Sequence, residues 1–267
     1  MTTARNKRGR LGAVLAMVLA VPLSASAQSD KWEVDVAPLY LWASEMDGRI
    51  VAADRTVSLF LPFDEAADKL AGAFSFHGEA RKDRVGVFGD LYFIRLSTDA
   101  EFTTPVLSNR VTGTAQLDMT VFEAGASYLL KPDANFSVIG GVRSYTLSPN
   151  IELDGPVLGV RDVDATKTAV SVFGGFTYRP KLTSKLGLLT RADIGGGGAF
   201  MWSGTVGLAY RFKPWGGLAF GYHALGVDTG DAAAVPLPAG TDEGNRVKYD
   251  ITHYGPFFSL TLHWSQK

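Results

Sequence analysis

Apolar and polar residues alternate along most of this chain, and the pattern is cleanest near its end. Phe258, Leu260, Leu262 and Trp264 fall on one face of an extended segment, and Ser259, Thr261 and His263 fall on the other. Period-2 alternation marks a strand with one apolar and one polar face. The same pattern predicts ten strands, at residues 32–43, 72–81, 84–96, 114–130, 136–147, 166–179, 185–195, 199–212, 217–226 and 248–264. Most of them supply the ~9–11 residues that a tilted membrane strand needs.

The connections alternate in length. Lys82-Asp83, 131–135, 180–184 and 213–216 are short, whereas 44–71, 97–113, 148–165 and 227–247 are long; the tight Gly195–Gly198 turn lies on the long side. An even strand count brings both ends of the chain to the short-turn side, the arrangement of outer-membrane barrels with short periplasmic turns and longer external loops. The apolar face is then expected to point outward. It is read as Trp32, Val34, Val36, Tyr40 and Trp42; Val138, Gly140 and Val142; Val170, Val172, Phe176 and Tyr178; and Trp202, Val206, Leu208, Tyr210 and Phe212. Aromatic residues gather near strand ends, and Trp32, Tyr40, Trp42, Tyr128, Tyr178, Trp202, Phe212 and Trp264 are expected to form two interfacial girdles. A soluble barrel would hide its apolar face inside. Here the face opposite the apolar one is read as charge and glycine, which favours lipid outside. These patterns predict an all-β, up-and-down antiparallel transmembrane barrel of about ten strands, with eight also open, and twelve if Arg49 to Phe60 adds a hairpin.

Two segments fit the pattern less simply. In 114–130, Leu117, Met119 and Val121 share a face with Glu123, which suggests a bulge or a strand that projects above the bilayer. In Pro62–Leu70, Phe63, Ala66, Ala67 and Leu70 recur at helical spacing, as in a short helix on the barrel mouth or on the loop surface.

Composition narrows the function classes. Arg5, Lys7, Arg8 and Arg10, then the apolar run Leu11–Leu23, then Ala25-Ser26-Ala27 read as a cleaved signal peptide, residues 1–27. The barrel domain is expected to span 28–267 and to be exported across the inner membrane. Without the four signal cations, 22 basic side chains face 27 acidic ones, too few for nucleic-acid binding. The chain has no cysteine, which excludes disulfides, thiol catalysis and thiolate metal sites. No histidine pair has metal-ligand spacing, and Gly195–Gly198 lacks the Lys-Ser/Thr of a phosphate loop. No cofactor or metal is expected.

The stretches PLYLWASEMDGRI (38–50), GEARKDRVGVFGDLYFIRLS (78–97), FEAGASYLL (122–130), GGVRSYTLSPNIEL (140–153), LLTRADIGGGG (188–198), VGLAYRF (206–212), LAFGYHALGVD (218–228) and YGPFFSLTLHW (254–264) carry a resemblance. In that order, over nearly the whole barrel domain, they resemble a family of uncharacterised Gram-negative outer-membrane β-barrel proteins. The chain departs from the pattern at His223 and in the terminal Ser265-Gln266-Lys267. The resemblance implies a fold and a location but brings no established activity.

Alternation places Glu33, Asp35, His77, Glu79, Arg81, Asp90, Glu123, Arg143, Arg191, Asp193, Arg211, His223 and His263 inside, among the inward glycines Gly125, Gly141, Gly175, Gly187, Gly207 and Gly221. Glu79, Arg81, Asp90, Glu123, Arg143, Arg191, Asp193 and Arg211 are expected to form a lumen charge network, because arginine pairs carboxylates bidentately and the signs nearly balance. Two roles follow for such a lumen: a charge-paired, closed or narrow barrel with a structural or interaction role, or a small porin-like passage for ions or solutes. A third class, a Ser–His lipid hydrolase, needs a serine beside an oriented histidine, and no catalytic residue is assigned. The expected partners are outer-membrane lipid, lipopolysaccharide and the barrel-assembly machinery. No nucleic acid is expected, and the barrel is expected to be a monomer.

Overall fold

A computed structural model describes residues 31–52, 55–103, 110–130, 135–154, 161–164, 166–230 and 248–265. The expected signal peptide lies outside the described residues. The strands are β1 (Trp32–Trp42), β2 (Glu45–Ala52), β3 (Arg55–Leu61), β4 (Leu70–Lys82), β5 (Val85–Thr103), β6 (Arg110–Leu129), β7 (Phe136–Asp154), β8 (Arg161–Asp164), β9 (Lys167–Tyr178), β10 (Leu186–Gly197), β11 (Phe200–Lys213), β12 (Gly216–Asp228) and β13 (Lys248–Ser265). Ten of them close an antiparallel up-and-down barrel in the order β1-β4-β5-β6-β7-β9-β10-β11-β12-β13, with β13 returning to pair β1. Closure leaves the backbone groups of each wall strand between two neighbours, the condition for crossing lipid with strands. Both ends of the barrel chain lie at the short-turn end, with Glu33 opposite Ser265.

The remaining strands stand apart from the closed wall. β2 and β3 form a hairpin, from Met46↔Leu61 to Ala52↔Arg55. β2 continues the line of β1 along β13, from Tyr254↔Glu45 to Lys248↔Val51. The hairpin left open around Arg49–Phe60 therefore exists without enlarging the barrel. β8 adds to the upper part of β7. Residues read as loop are also laddered: β5 and β6 stay paired out to Thr103↔Arg110, and β6 and β7 out to Thr112↔Asp154. Strands of this length extend well past a membrane's hydrocarbon.

The 110–129 strand contains no bulge. Its ladders to both neighbours are unbroken, and Leu117, Met119, Val121 and Glu123 all face inward. The phase conflict disappears because the lumen itself changes from charged to apolar with height. α1 (Phe63–Asp68) is a single short helix that buries Ala66 and leaves Phe63 exposed, so it lies on the surface and does not plug the mouth.

A register shift between Val36 and Leu39, at Pro38, corrects the outward set. It reverses the phase of upper β1. Leu39 and Leu41 are exposed, while Trp42 is buried in the lumen and Tyr40 packs against the interior cluster. These two aromatics therefore do not belong to an outer girdle. Trp32, Tyr128, Tyr178 and Trp264 are exposed at the short-turn end, where Phe212 stacks edge-on with exposed Trp215 at 5.9 Å. Trp202, half-buried, lies over Gly226, where a Cβ would come within 2.0 Å of its indole nitrogen.

Candidate functional site: the barrel lumen

On the inward face of the lower barrel, register brings charges from four strands, β5, β6, β7 and β10, together. Asp90 on β5 stands opposite Glu123 on β6, and Glu123 opposite Arg143 on β7. Asp193 on β10 faces Ser203 on β11 and Gly175 on β9. Across the lumen, Arg143 Nε donates to Glu123 Oε2 at 2.7 Å and Nη2 donates to Asp193 Oδ1 at 2.8 Å. Arg191 Nε donates to Asp193 Oδ2 at 2.8 Å, and its Nη2 donates to Glu123 Oε1. Two arginines and two carboxylates thus alternate around a closed ring that is formally neutral. The Ser203 hydroxyl adds a further donor to Asp193 at 2.8 Å. The guanidinium of Arg143 lies 4.8 Å over Phe173, and that of Arg191 lies 5.4 Å over both Phe88 and Phe173. The ring therefore sits on aromatic faces that favour arginine over lysine.

Gly175 makes room for this arrangement. A Cβ there would come within 2.2 Å of Ala192 O and 2.5 Å of Asp193 Cβ. Its strand neighbour is seated against the glycine backbone, which explains one of the inward glycines in physical terms.

Below the ring the charges pair locally and are wetter. Arg81 bonds Glu33 at 3.1 Å, Arg179 bonds Glu79 at 2.6 Å, His263 meets Asp35 at 2.9 Å and His77 meets Asp90 at 2.6 Å. Side-chain exposure is 48% for Glu33, 34% for Asp90 and 8% for Glu79 in these pairs, against 6% for Glu123 and 0% for Asp193 in the ring. The space is a vestibule open at the short-turn end that narrows to the ring. Of the residues predicted for the network, Glu123, Arg143, Arg191 and Asp193 meet in the ring. Asp90 lies 4.0 Å from Arg191, while Glu79 and Arg81 belong to separate vestibule pairs. Arg211 is exposed at the end of β11, where the lumen opens, and does not join the ring. Arg179, which follows β9 and pairs Glu79, was not assigned to the network, although the predicted strand 166–179 puts it in phase with the inward Gly175.

Above the ring the inward positions become apolar. Trp42, Met46, Tyr92, Met119, Tyr145, Leu147, Ala169, Met201, Leu225, Val227, Tyr249, Ile251 and Phe257 form one buried cluster inside the barrel. Met201, Ile251 and Met119 are fully buried. Two histidines sit at its edge and are bonded to hydroxyls: His253 Nε2 to Tyr145 at 2.9 Å and His223 Nδ1 to Thr205 at 2.7 Å. His223 also packs edge-on against Trp42, with ring centroids 4.5 Å apart. This apolar filling is what sequence reading missed. Its signal was one of phase: Leu117, Met119 and Val121 share a face with Glu123, and Tyr249 and Ile251 alternate with Asp250.

No family model and no curated protein matches the chain. Solved structures do share its architecture. The outer membrane protease OmpT from Escherichia coli superposes with a TM-score of 0.50 over 91% of this chain and 99% of that one, at 8% identity. The translocator domain of the autotransporter NalP from Neisseria meningitidis gives 0.44 over 93% and 92%, at 11% identity. Ail, the attachment invasion locus protein of Yersinia pestis, gives 0.33 over 86% and 97%, at 9% identity. At such identities the likeness is one of fold. Closed topology, strand lengths and the OmpT superposition agree, and the chain has the fold of the Gram-negative outer-membrane β-barrels.

Proposed function

We propose that this protein is an integral outer-membrane barrel with a sealed lumen, acting through its wall and its external strands and not as a passage. On this reading it is exported by its signal peptide, folded by the barrel-assembly machinery and held as a monomer among outer-membrane lipid and lipopolysaccharide. The short-turn end then faces the periplasm. The observation that carries the reading is the double closure: a neutral Arg/carboxylate ring in the lower lumen and a dry apolar cluster above it. A conducting wall keeps a wet path and tends to carry one sign of charge, whereas here the ring charges neutralise each other and the space above holds methionine, isoleucine and aromatic rings.

The histidine contacts support a structural reading over a lipid hydrolase. The four histidines bond Asp90, Thr205, Tyr145 and Asp35, each inside the barrel. The test is single-channel recording of the refolded protein in a planar bilayer, with folding checked by compact gel mobility. Silence from folded protein is expected; steady, reproducible steps would favour the porin-like alternative.

A further inference from the structure

The short-turn end carries its charge unevenly. The β4–β5 turn sets cations beside an acid, as Lys82-Asp83-Arg84, and nearby Arg81 pairs Glu33. The β9–β10 and β11–β12 turns differ. The chain has no acidic residue from Tyr178 to Thr190, from Thr205 to Val227, or from Ile251 to the end of β13. Arg179 is taken by Glu79. Lys181, Lys185, Arg211 and Lys213 remain. All four are exposed, and none pairs a carboxylate among the described residues.

Register brings these cations together. Leu186 stands opposite Tyr210, so Lys185 and Arg211 form the next cross-strand pair, and Arg211 N donates to Lys185 O at 2.7 Å. Like charges directly opposite on neighbouring strands repel, and they lower stability where nothing lies between them to neutralise them. Lys181 bridges to Gly187 within the same β9–β10 turn. Lys213 lies just past Arg211, beyond a register shift and opposite Gly216. Apolar side chains surround the cations. Leu182 and Trp215 are more than half exposed, and Tyr178 and Tyr210 are exposed beside them. Exposed aromatic rings next to long cationic side chains at the ends of membrane strands suit the headgroup level of a bilayer.

We propose that the rim of β9 to β12 binds an anionic phospholipid of the leaflet at the short-turn end. Its phosphate oxygens accept from Lys185 and Arg211, which turns a repulsive pair into a shared anion site, and Lys181 and Lys213 flank it. A guanidinium fork and an ammonium group suit a phosphate with several acceptor oxygens. The acyl chains run along the outer wall past the exposed Tyr210 and Val206. Those apolar neighbours select a lipid over a soluble phosphate. A zwitterionic headgroup would bring an ammonium of its own to a site already rich in cations, so a net negative head is selected as well. The proposal rests on the membrane placement above, but it is independent of whether the lumen conducts.

The test is native mass spectrometry of the folded barrel released from micelles that contain equal amounts of phosphatidylglycerol and phosphatidylethanolamine with the same acyl chains. Phosphatidylglycerol should be retained severalfold over phosphatidylethanolamine. The double variant Lys185→Gln/Arg211→Gln should bring the two near parity, whereas Arg84→Gln, beside Asp83 on the mixed turn, should leave the preference unchanged. Lys185→Glu gives Arg211 a partner within the protein; it should abolish the preference while keeping the compact, folded gel mobility. Equal retention of the two lipids by the native protein, or a preference that survives both Lys185 variants, would overturn the site and leave the membrane placement standing. Displacement of phosphatidylglycerol by inorganic phosphate at constant ionic strength would show a site for free phosphate and overturn the lipid as its occupant. Retention of neither lipid would overturn the placement itself.

Discussion

The two halves of the lumen are filled by opposite means. The lower half is charged, partly wet and held by mutual pairing, whereas the upper half is apolar, dry and held by packing. Both are built from the same alternate positions of the same strands: on β6, Glu123 belongs to the ring and Met119, four residues along, to the apolar cluster. The difference teaches how each half fails. In the ring, loss of one partner strands another charge in a buried site. In the cluster, loss of a side chain leaves a cavity whose cost is graded by how far its neighbours relax.

The largest effect is therefore expected at the ring. Asp193→Ala leaves both Arg143 and Arg191 short of a carboxylate and should cost about 3–5 kcal/mol. It would appear as a lower temperature for loss of the compact, folded gel mobility. Replacing all four ring residues together by Met and Leu should cost far less, since a buried ion network exchanged for well-packed apolar groups is often neutral; equal loss in both variants would remove the pairing argument. Next comes the upper half: Met201→Ala, at a fully buried position, should cost about 2–5 kcal/mol by the same assay. Gly175→Ala should follow at about 1–3 kcal/mol, because its Cβ overlaps Ala192 O and the Asp193 Cβ. The smallest change belongs to the vestibule mouth. Glu33→Gln breaks the exposed pair with Arg81 and should shift stability by less than about 1 kcal/mol, less still at high salt.

Much of this architecture was legible in the residues, and the failures have particular causes. Period-2 alternation located all ten wall strands, and its phase placed Glu123, Arg143, Arg191 and Asp193 on the inner face. It failed at Tyr40 and Trp42 because a register shift at Pro38 changes which face each residue occupies, and alternation carries no information about a bulge. It failed for the upper lumen because an apolar residue facing inward looks the same in sequence as one facing lipid. Met119 and Ile251 could be assigned only once neighbouring strands fixed their faces. The ladders beyond Ser97 and Ser148 were read as loops because strands that have left the membrane no longer need an apolar outer face, so the alternation fades where the pairing does not.

The wet-below, dry-above division is tested most directly by cysteine accessibility, which a chain without native cysteine makes unambiguous. Thr261→Cys places a thiol on the inner face below the ring, and Ile251→Cys places one in the apolar cluster. With the folded barrel in a bilayer, a small charged maleimide should label position 261 and leave position 251 unlabelled until the protein is unfolded. Labelling of position 251 at a rate similar to that of position 261 in the folded state would show a continuous aqueous path and contradict the sealed lumen.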